Sequence, residues 1–189
     1  MVANLVLPIV SALLIYFVRI AELRTRRDVV SGQVRENLTL RLFVGIGSVM
    51  LLGSIAEQIW LRRPLEPALF AGGGAAALAS FWLRRRAIRE LGKMWSLHVE
   101  IREQHQLIMS GPYRWVRHPA YTSMVLELLS LGLILQSAYT STVVALLFVP
   151  TLYARIRIEE AALCQQISGY AEYRRSTPAL LPYKLPAAS

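Results

Sequence analysis

The stretch that decides the fold spans residues 111–135 and reads GPYRWVRHPAYTSMVLELLSLGLIL. Its first eleven residues combine two arginines, a histidine and two tyrosines with two prolines, and an apolar run follows at once. Each proline fixes its own φ and drives the preceding residue toward extended geometry. Ionisable groups at membrane depth are costly unless they serve a function. We therefore expect a stiff cationic loop that leads into a membrane helix and binds an anionic or zwitterionic cofactor.

Composition indicates an integral membrane protein with one domain. Of the 189 residues, 54% are hydrophobic and 17% are charged, whereas soluble domains carry about 25% charged residues. The formal net charge is +9, but the arginines lie in loops between apolar runs and not on one soluble face. We therefore assign the excess charge to anionic lipid headgroups and exclude nucleic acid as a partner.

Cysteine and histidine usage excludes the common metal sites. Cys164 is the only cysteine, so the chain has no intrachain disulfide and no cysteine-based metal site. The histidines His98, His105 and His118 show no metal-ligand spacing. The sequence predicts no metal.

Five apolar runs predict an all-α polytopic fold with about five transmembrane helices. A spanning helix needs about 20 apolar residues, so several runs need flanking residues, tilt or a thinned bilayer to cross. The first run lacks a basic leader and a small-residue cleavage site, which predicts a retained helix. The last two runs are separated only by residues 136–141, which predicts a tight helical hairpin beside a cytoplasmic cofactor pocket. The runs cover residues 5–18, 42–56, 68–83, 121–135 and 142–154.

The distribution of lysine and arginine predicts the orientation. With five spans, 19 of the 21 positive charges fall on one side of the membrane. The positive-inside rule then places the N-terminus outside, and the catalytic loops and the C-terminus in the cytoplasm.

Several residues inside or beside the runs have expected structural roles. The small residues 72–77 predict close helix packing, and no Walker motif follows the glycines. Glu57 is expected to be structural, and residues 84–86 are expected to anchor the helix end at the interface. Glu127 lies within the fourth run, so it must face the protein interior or a cavity. There it either lines the substrate site or bonds a neighbouring helix.

A second charged cluster, RIRIEE, covers residues 155–160. On a helix, Arg155 lies within reach of Glu159, and Arg157 within reach of Glu160. The hairpin would bring this cluster to the same face as the loop at residues 111–121. Spacing alone leaves open whether the cluster is a functional site or a surface salt-bridge network.

The two clusters resemble the motifs of the isoprenylcysteine carboxyl methyltransferase family, and phospholipid methyltransferases share the same Arg-His-Pro signature. The resemblance covers roughly residues 90–182 and includes the C-terminal ending with Tyr170, Tyr173 and Thr177. The family usually has a Phe-Gly pair before the paired tyrosines, whereas this chain has Ile167-Ser168-Gly169 and is one residue shorter there. Glycine is also common in the family where this chain has Ser123. The two ordered motifs read GPYxxVRHPxY from residue 111 and RxRxEExxL from residue 155.

The resemblance implies one membrane methyltransferase domain over residues 1–189. Residues 1–89 would form the N-terminal spans, and residues 90–189 the catalytic half that binds S-adenosylmethionine and releases S-adenosylhomocysteine. Carried over onto this sequence, the cofactor contacts are Trp95, His105, Leu107, Tyr113, Arg117, His118, Pro119, Tyr121 and Glu160.

The acceptor is expected to be a lipophilic small molecule or lipid that reaches the site from the membrane. A carboxylate acceptor needs no base, and Arg155 would hold it, paired with Glu159 or Glu160. A phenol or thiol acceptor would need a base such as His118 or a glutamate. Glu127 and Arg155 are the candidate substrate contacts, and the catalytic candidates are Arg155, Glu159, Glu160 and His118.

Two other functions compete with this interpretation. A membrane reductase of the sterol-reductase type would bind NADPH at a related C-terminal arrangement, although that family is much longer. A non-enzymatic membrane protein would use the charged clusters only to set its topology.

Overall fold

The computed structural model describes residues 2–24, 33–34, 38–95, 100–101 and 107–183. Within these residues the fold is helical, apart from an antiparallel pair of two-residue strands, β1 and β2. Short 3₁₀ turns cover Gly92–Met94 and Gly111–Arg114. The remaining elements are α1 (Val2–Arg24), β1 (Gln33–Val34), α2 (Leu38–Leu61), α3 (Pro67–Leu91), β2 (Glu100–Ile101), α4 (Pro119–Ile134), α5 (Ala138–Gln166) and α6 (Tyr170–Ser176).

Each of the five apolar runs lies in a separate helix, from α1 to α5. Among the described helices, α1, α2 and α5 are long and apolar enough to cross a membrane, and α4 is a shorter apolar helix of 16 residues. Helix α3 has 25 residues and carries three consecutive arginines, residues 84–86, near its C-terminal end. The chain is therefore an integral membrane protein. Three of the five expected spans meet these criteria, and the count of five stays a prediction.

The connection between α4 and α5 is tighter than the sequence predicted. It consists of residues 135–137, half the length expected, because α5 begins at Ala138, four residues before its apolar run. Ser137 is fully buried, and its hydroxyl lies 2.6 Å from that of Ser54 on α2. The carboxylate of Glu57 accepts the backbone N–H and hydroxyl of Thr140, both at 2.8 Å. Glu57 thus caps the start of α5, which is the structural role expected of it.

Helix α5 runs for 29 residues and includes the whole charged cluster at residues 155–160. The sequence interpretation placed this cluster after the last span, near a helix end. No glycine or proline follows Pro150 within the helix, so nothing interrupts it before Ile167. One continuous helix therefore brings Arg155 and Glu159 to Tyr121 of α4, and Glu160 to Arg174 of α6.

Helix α3 packs closely on α4 at Gly73. A Cβ atom at this position would lie 2.7 Å from the Ile134 side chain and 2.9 Å from the carbonyl oxygen of Ser130. Gly72 and Gly74 have open space at the same position. The small-residue stretch therefore forms a helix interface, as predicted, through its central glycine.

Replacing Gly73 with alanine is expected to lower the stability by about 1–3 kcal/mol relative to Gly72→Ala, because the new methyl group meets backbone atoms that cannot move away. Gly72→Ala is the matched control and should be neutral or slightly stabilising, since alanine favours the helix. Thermal unfolding of both variants in detergent measures the difference. Equal unfolding midpoints would show that the interface tolerates the added volume.

Candidate active site

The loop before α4 is shaped by a glycine and by two prolines. Gly111 has φ of 56°, and a Cβ there would lie 2.9 Å from the Glu90 side chain, so the turn requires glycine. Tyr113 is buried in the 3₁₀ turn that follows. His118 occupies the N-cap position of α4, and Pro119 begins the helix, where its missing N–H costs nothing.

The C-terminal tail pairs with this loop through its backbone. The N–H groups of Arg117 and His118 donate to the carbonyl oxygens of Pro178 and Ala179, at 2.9 and 3.0 Å. The Tyr173 hydroxyl donates to the Tyr113 carbonyl at 2.6 Å. The loop and the tail, separated by some 60 residues, therefore form a single structural unit.

Glu160 is the centre of a buried ionic cluster. Its Oε1 accepts from Nε of Arg117 at 2.8 Å and lies 3.0 Å from Nε2 of His118. Its Oε2 lies 2.9 Å from Nε of Arg174. Arg117 also donates to the carbonyl oxygens of Arg174, at 2.9 Å, and Thr177. Glu160 thereby fixes the loop against α5 and the tail.

The pairing expected from helical spacing was wrong for Glu160. Its partners come from the loop and the tail, whereas Arg157 points away and donates to the Tyr153 hydroxyl at 3.4 Å. Spacing along one helix reports only local neighbours, and the contacts that packing brings to Glu160 are long-range.

A second polar group surrounds the Tyr121 hydroxyl. This hydroxyl donates to Oε2 of Glu159 at 2.5 Å and accepts from Nε of Arg155 at 3.0 Å. Arg155 is buried and also donates to the Thr39 hydroxyl at 2.8 Å. Tyr121 therefore connects a cation on one side to a carboxylate on the other.

These groups border a cavity of about 420 Å³, a volume within the range of small-molecule sites. Glu160 does not line it and lies behind Arg117 and His118. His105 lies outside the described residues. The predicted site residues that line the cavity are Trp95, Leu107, Tyr113, Arg117, His118, Pro119, Tyr121, Glu127, Arg155 and Glu159.

The rest of the cavity wall is largely apolar and comes from the N-terminal half as well. Phe43 and Phe148 meet with ring centroids 5.5 Å apart, and Met124 lies nearby in the same wall. Residues of α1 and α2 thus line the same cavity as the motif residues. The sequence showed no motif in these two helices.

A further ionic group lies in the wall on the side of α1. The Arg19 guanidinium contacts both oxygens of Glu127 and lies 2.8 Å from Glu22. Glu22 also accepts from Nε of Arg84 at 3.0 Å, and Arg84 lies over the Trp95 ring at 5.4 Å. Glu127 faces the interior, as predicted.

The expectation that Arg84 is only an interfacial anchor was wrong, because Arg84 is 5% exposed and lines the cavity. Arg19 was also missed. The sequence did contain a signal for both arginines. Glu127 lies within an apolar run and requires a buried partner, and each arginine lies at the end of an apolar run, where it could be buried.

The tyrosines beside the cavity are held in the neutral form. Burial, with the nearby Glu159 carboxylate, raises the pKa of Tyr113 well above its usual range. Burial also raises the pKa of Tyr170, with Glu160 adding to the effect, and the pKa of Tyr173. These phenols are therefore hydrogen-bonding groups at neutral pH, and the bases available at the cavity are carboxylates and His118.

Comparison with known proteins identifies the family. Residues 74–165 match the isoprenylcysteine carboxyl methyltransferase (ICMT) family. These residues include both sequence motifs and most of the cavity wall that α4 and α5 supply. The chain belongs to this family. It is an ICMT-family membrane protein with a methyltransferase-like domain.

The relatives include bacterial proteins named for metal resistance. The chain is 36% identical over 97 residues to the cobalt-zinc-cadmium resistance protein CzcN of Cupriavidus metallidurans, covering 51% of this chain and 45% of that protein. It is 29% identical over 109 residues to the nickel-cobalt-cadmium resistance protein NccN of Alcaligenes xylosoxydans, covering 57% and 51%. The chain thus spans about half the length of these two relatives.

A relative with wider coverage is the uncharacterized protein YpbQ of Bacillus subtilis. The chain is 30% identical to it over 116 residues, which cover 61% of this chain and 68% of that protein. Among the described residues, no group of three histidine, cysteine, aspartate or glutamate side chains is placed to hold a metal ion. The prediction of no metal remains a prediction.

Proposed function

We propose that the chain is an S-adenosylmethionine-dependent methyltransferase that acts on a lipophilic acceptor at the membrane. The observation that carries this proposal is one continuous cavity with two kinds of wall. The motif residues supply polar and aromatic groups at one end, and helices α1, α2 and α5 supply apolar surface at the other. A polar cofactor and an apolar acceptor can meet in such a chamber.

The motif end suits the chemical groups of S-adenosylmethionine. This cofactor supplies an electrophilic methyl group on a sulfonium and also carries a carboxylate, an ammonium and an adenine. Arg117 presents a guanidinium that suits the carboxylate. The rings of Tyr113, Tyr170 and Trp95 line the same chamber and suit a sulfonium or a flat base, since cation–π contact contributes about 0.5–2 kcal/mol.

The roles of the remaining residues follow from their contacts. Glu160 holds Arg117 and His118 in place and does not itself touch the cavity. Arg155 and Glu159 flank the Tyr121 hydroxyl at the wall. Arg155 would hold an anionic acceptor, and Glu159 would take the proton from a hydroxyl, phenol or thiol. Positioning and exclusion of water supply most of the rate enhancement for such a displacement.

The same proposal includes the membrane arrangement. Helices α1 to α5 all cross the bilayer, with the N-terminus outside and the motif end of the cavity facing the cytoplasm. The support is the placement of 19 of 21 positive charges on one side. In sealed inside-out vesicles, a protease should remove a C-terminal tag, and a protected tag would contradict this orientation.

Calorimetric titration of S-adenosylhomocysteine into the purified protein in detergent tests the function. We expect saturable binding with one site per chain, and no binding of NADPH under the same conditions. Binding of NADPH alone would favour the reductase. Absence of both from a protein that melts cooperatively would favour a non-enzymatic role.

A further inference from the structure

The cavity has a second polar site, formed by Arg19 and Glu127, that the proposed methyl transfer does not use. Arg19 from α1 and Glu127 from α4 both line it, and each is 9% exposed. Tyr121 and Glu127 also line the same cavity and are six residues apart on α4. A helix rises 1.5 Å per residue, so Glu127 lies about 9 Å farther along the axis than Tyr121.

The charges at this place are already balanced. Arg19 donates through Nε to Oε1 of Glu127 at 3.0 Å, and its Nη2 contacts the other carboxylate oxygen. Its Nη1 lies 2.8 Å from Glu22, which also pairs with Arg84. Two cations therefore face two anions. An anionic ligand group would have to displace Glu127 or lie beside two carboxylates, and burial makes either arrangement costly.

An uncharged hydrogen-bond donor fits the same place. A carboxylate offers about four lone-pair positions, and the two contacts from Arg19 leave others on Glu127 for a ligand. The wall around Glu127 is apolar, with Ile20, Met124 and Leu128 lining the cavity. A hydroxyl group on an apolar chain meets both requirements, because its donor finds an acceptor and its chain stays out of water.

We propose that Glu127, held by Arg19, is a specificity site that accepts a hydrogen bond from an uncharged hydroxyl of the acceptor. The acceptor would thus be a lipophilic molecule with two polar groups about 9 Å apart along the α4 axis. One group lies at Tyr121 and receives the methyl group, and the other lies at Glu127. This inference rests on the proposed function, because it assigns the acceptor end of the same cavity.

Two matched probes test the proposal, 4-(3-hydroxypropyl)phenol and 4-propylphenol, which differ by the terminal hydroxyl. Each is titrated into protein in lipid nanodiscs, with and without saturating S-adenosylhomocysteine, and the thermal unfolding midpoint is recorded. We expect the hydroxylated probe to bind the wild type about 10-fold more tightly, as one hydrogen bond to a charged group allows. Equal binding of the two probes would overturn the proposal.

The variants locate the effect at the ion pair. Replacing both partners, Arg19→Met with Glu127→Leu, should remove the advantage of the hydroxylated probe and leave S-adenosylhomocysteine affinity within about threefold, since a buried pair exchanged for apolar side chains often costs little stability. Glu127→Gln alone should reduce the advantage if the double variant does not fold. Glu57→Gln, a buried glutamate away from the cavity, is the matched control and should keep it.

Two further outcomes would overturn the inference. One is an advantage that persists in the double variant. The other is tighter wild-type binding of 3-(4-hydroxyphenyl)propanoic acid, the matched carboxylate. A wild type that binds the hydroxylated probe selectively but not S-adenosylhomocysteine would leave the hydroxyl site standing and refute the methyltransferase. The two failures are therefore distinguishable.

Discussion

Replacing Glu160 with glutamine is expected to weaken S-adenosylhomocysteine binding by about 100-fold or more, since breaking a buried ion pair costs about 3–5 kcal/mol and each 1.4 kcal/mol is tenfold. Glu160 is 2% exposed and contacts Arg117, His118 and Arg174. Glutamine keeps the shape of the side chain but removes its charge. Its amide nitrogen is a hydrogen-bond donor and would face the donor groups that now surround the carboxylate. Arg117 and His118 would then lose their fixed positions at the cavity wall.

Calorimetry with S-adenosylhomocysteine measures the loss, and thermal unfolding reports the accompanying loss of stability. Glu172→Gln on α6 is the matched control, because Glu172 is exposed and lies in the same C-terminal region. We expect the control to bind as the wild type does. An affinity within about threefold of the wild type for Glu160→Gln would show that Arg117 and His118 do not need this carboxylate.

Replacing Arg155 with methionine is expected to slow methyl transfer by about 100- to 1,000-fold, the usual effect of removing one fixed donor from a reaction centre. Arg155 is 3% exposed, and its guanidinium contacts the hydroxyls of Tyr121 and Thr39. Its removal leaves Glu159 beside Tyr121 without the cation that helps to fix that hydroxyl. S-adenosylhomocysteine affinity should change by less than about fivefold, because the proposed cofactor contacts Tyr113 and Arg117 belong to the loop before α4 and not to α5.

The assay follows labelled methyl transfer from S-adenosylmethionine to 4-hexylphenol and to hexadecanoate, as phenol and carboxylate acceptors. Arg157→Met is the matched control, since Arg157 lies on the same helix but is exposed and contacts Tyr153. Arg155→Lys should restore part of the rate, because lysine keeps the positive charge. The restoration should be incomplete, because lysine lacks the planar guanidinium that contacts two hydroxyls at once. Parallel losses of rate and cofactor affinity in Arg155→Met would instead indicate a structural role.

Much of the fold followed from apolar patterning. The five apolar runs each lie in a helix, and Gly73 forms the close helix contact that the small-residue stretch predicted. The length of the connection between α4 and α5, and the C-terminal extent of α5, did not follow from this patterning. Charged residues such as Arg155 end an apolar run in the sequence, yet they continue the helix because burial against neighbouring helices supplies their partners.

The site was predicted in part. Ten of the predicted residues line one cavity. Seven of them belong to the two motifs, whose residue types carry the chemistry themselves, and the other three are Trp95, Leu107 and Glu127. Arg19 and Arg84 were missed as cavity residues, because an arginine at the end of an apolar run is more often an interfacial anchor. Only the tertiary packing brings Arg19 to Glu127 on α4 and Arg84 to Glu22 on α1.

The sequence by itself determined the membrane class, the helices and the two motifs, because hydrophobicity and residue type act locally along the chain. The tertiary structure decided which charges meet. Glu160 pairs with Arg117 across 43 residues, and Glu127 with Arg19 across 108. Such contacts depend on helix lengths and packing angles, and these are set by interlocking side chains from several helices at once. No local pattern within one helix encodes them.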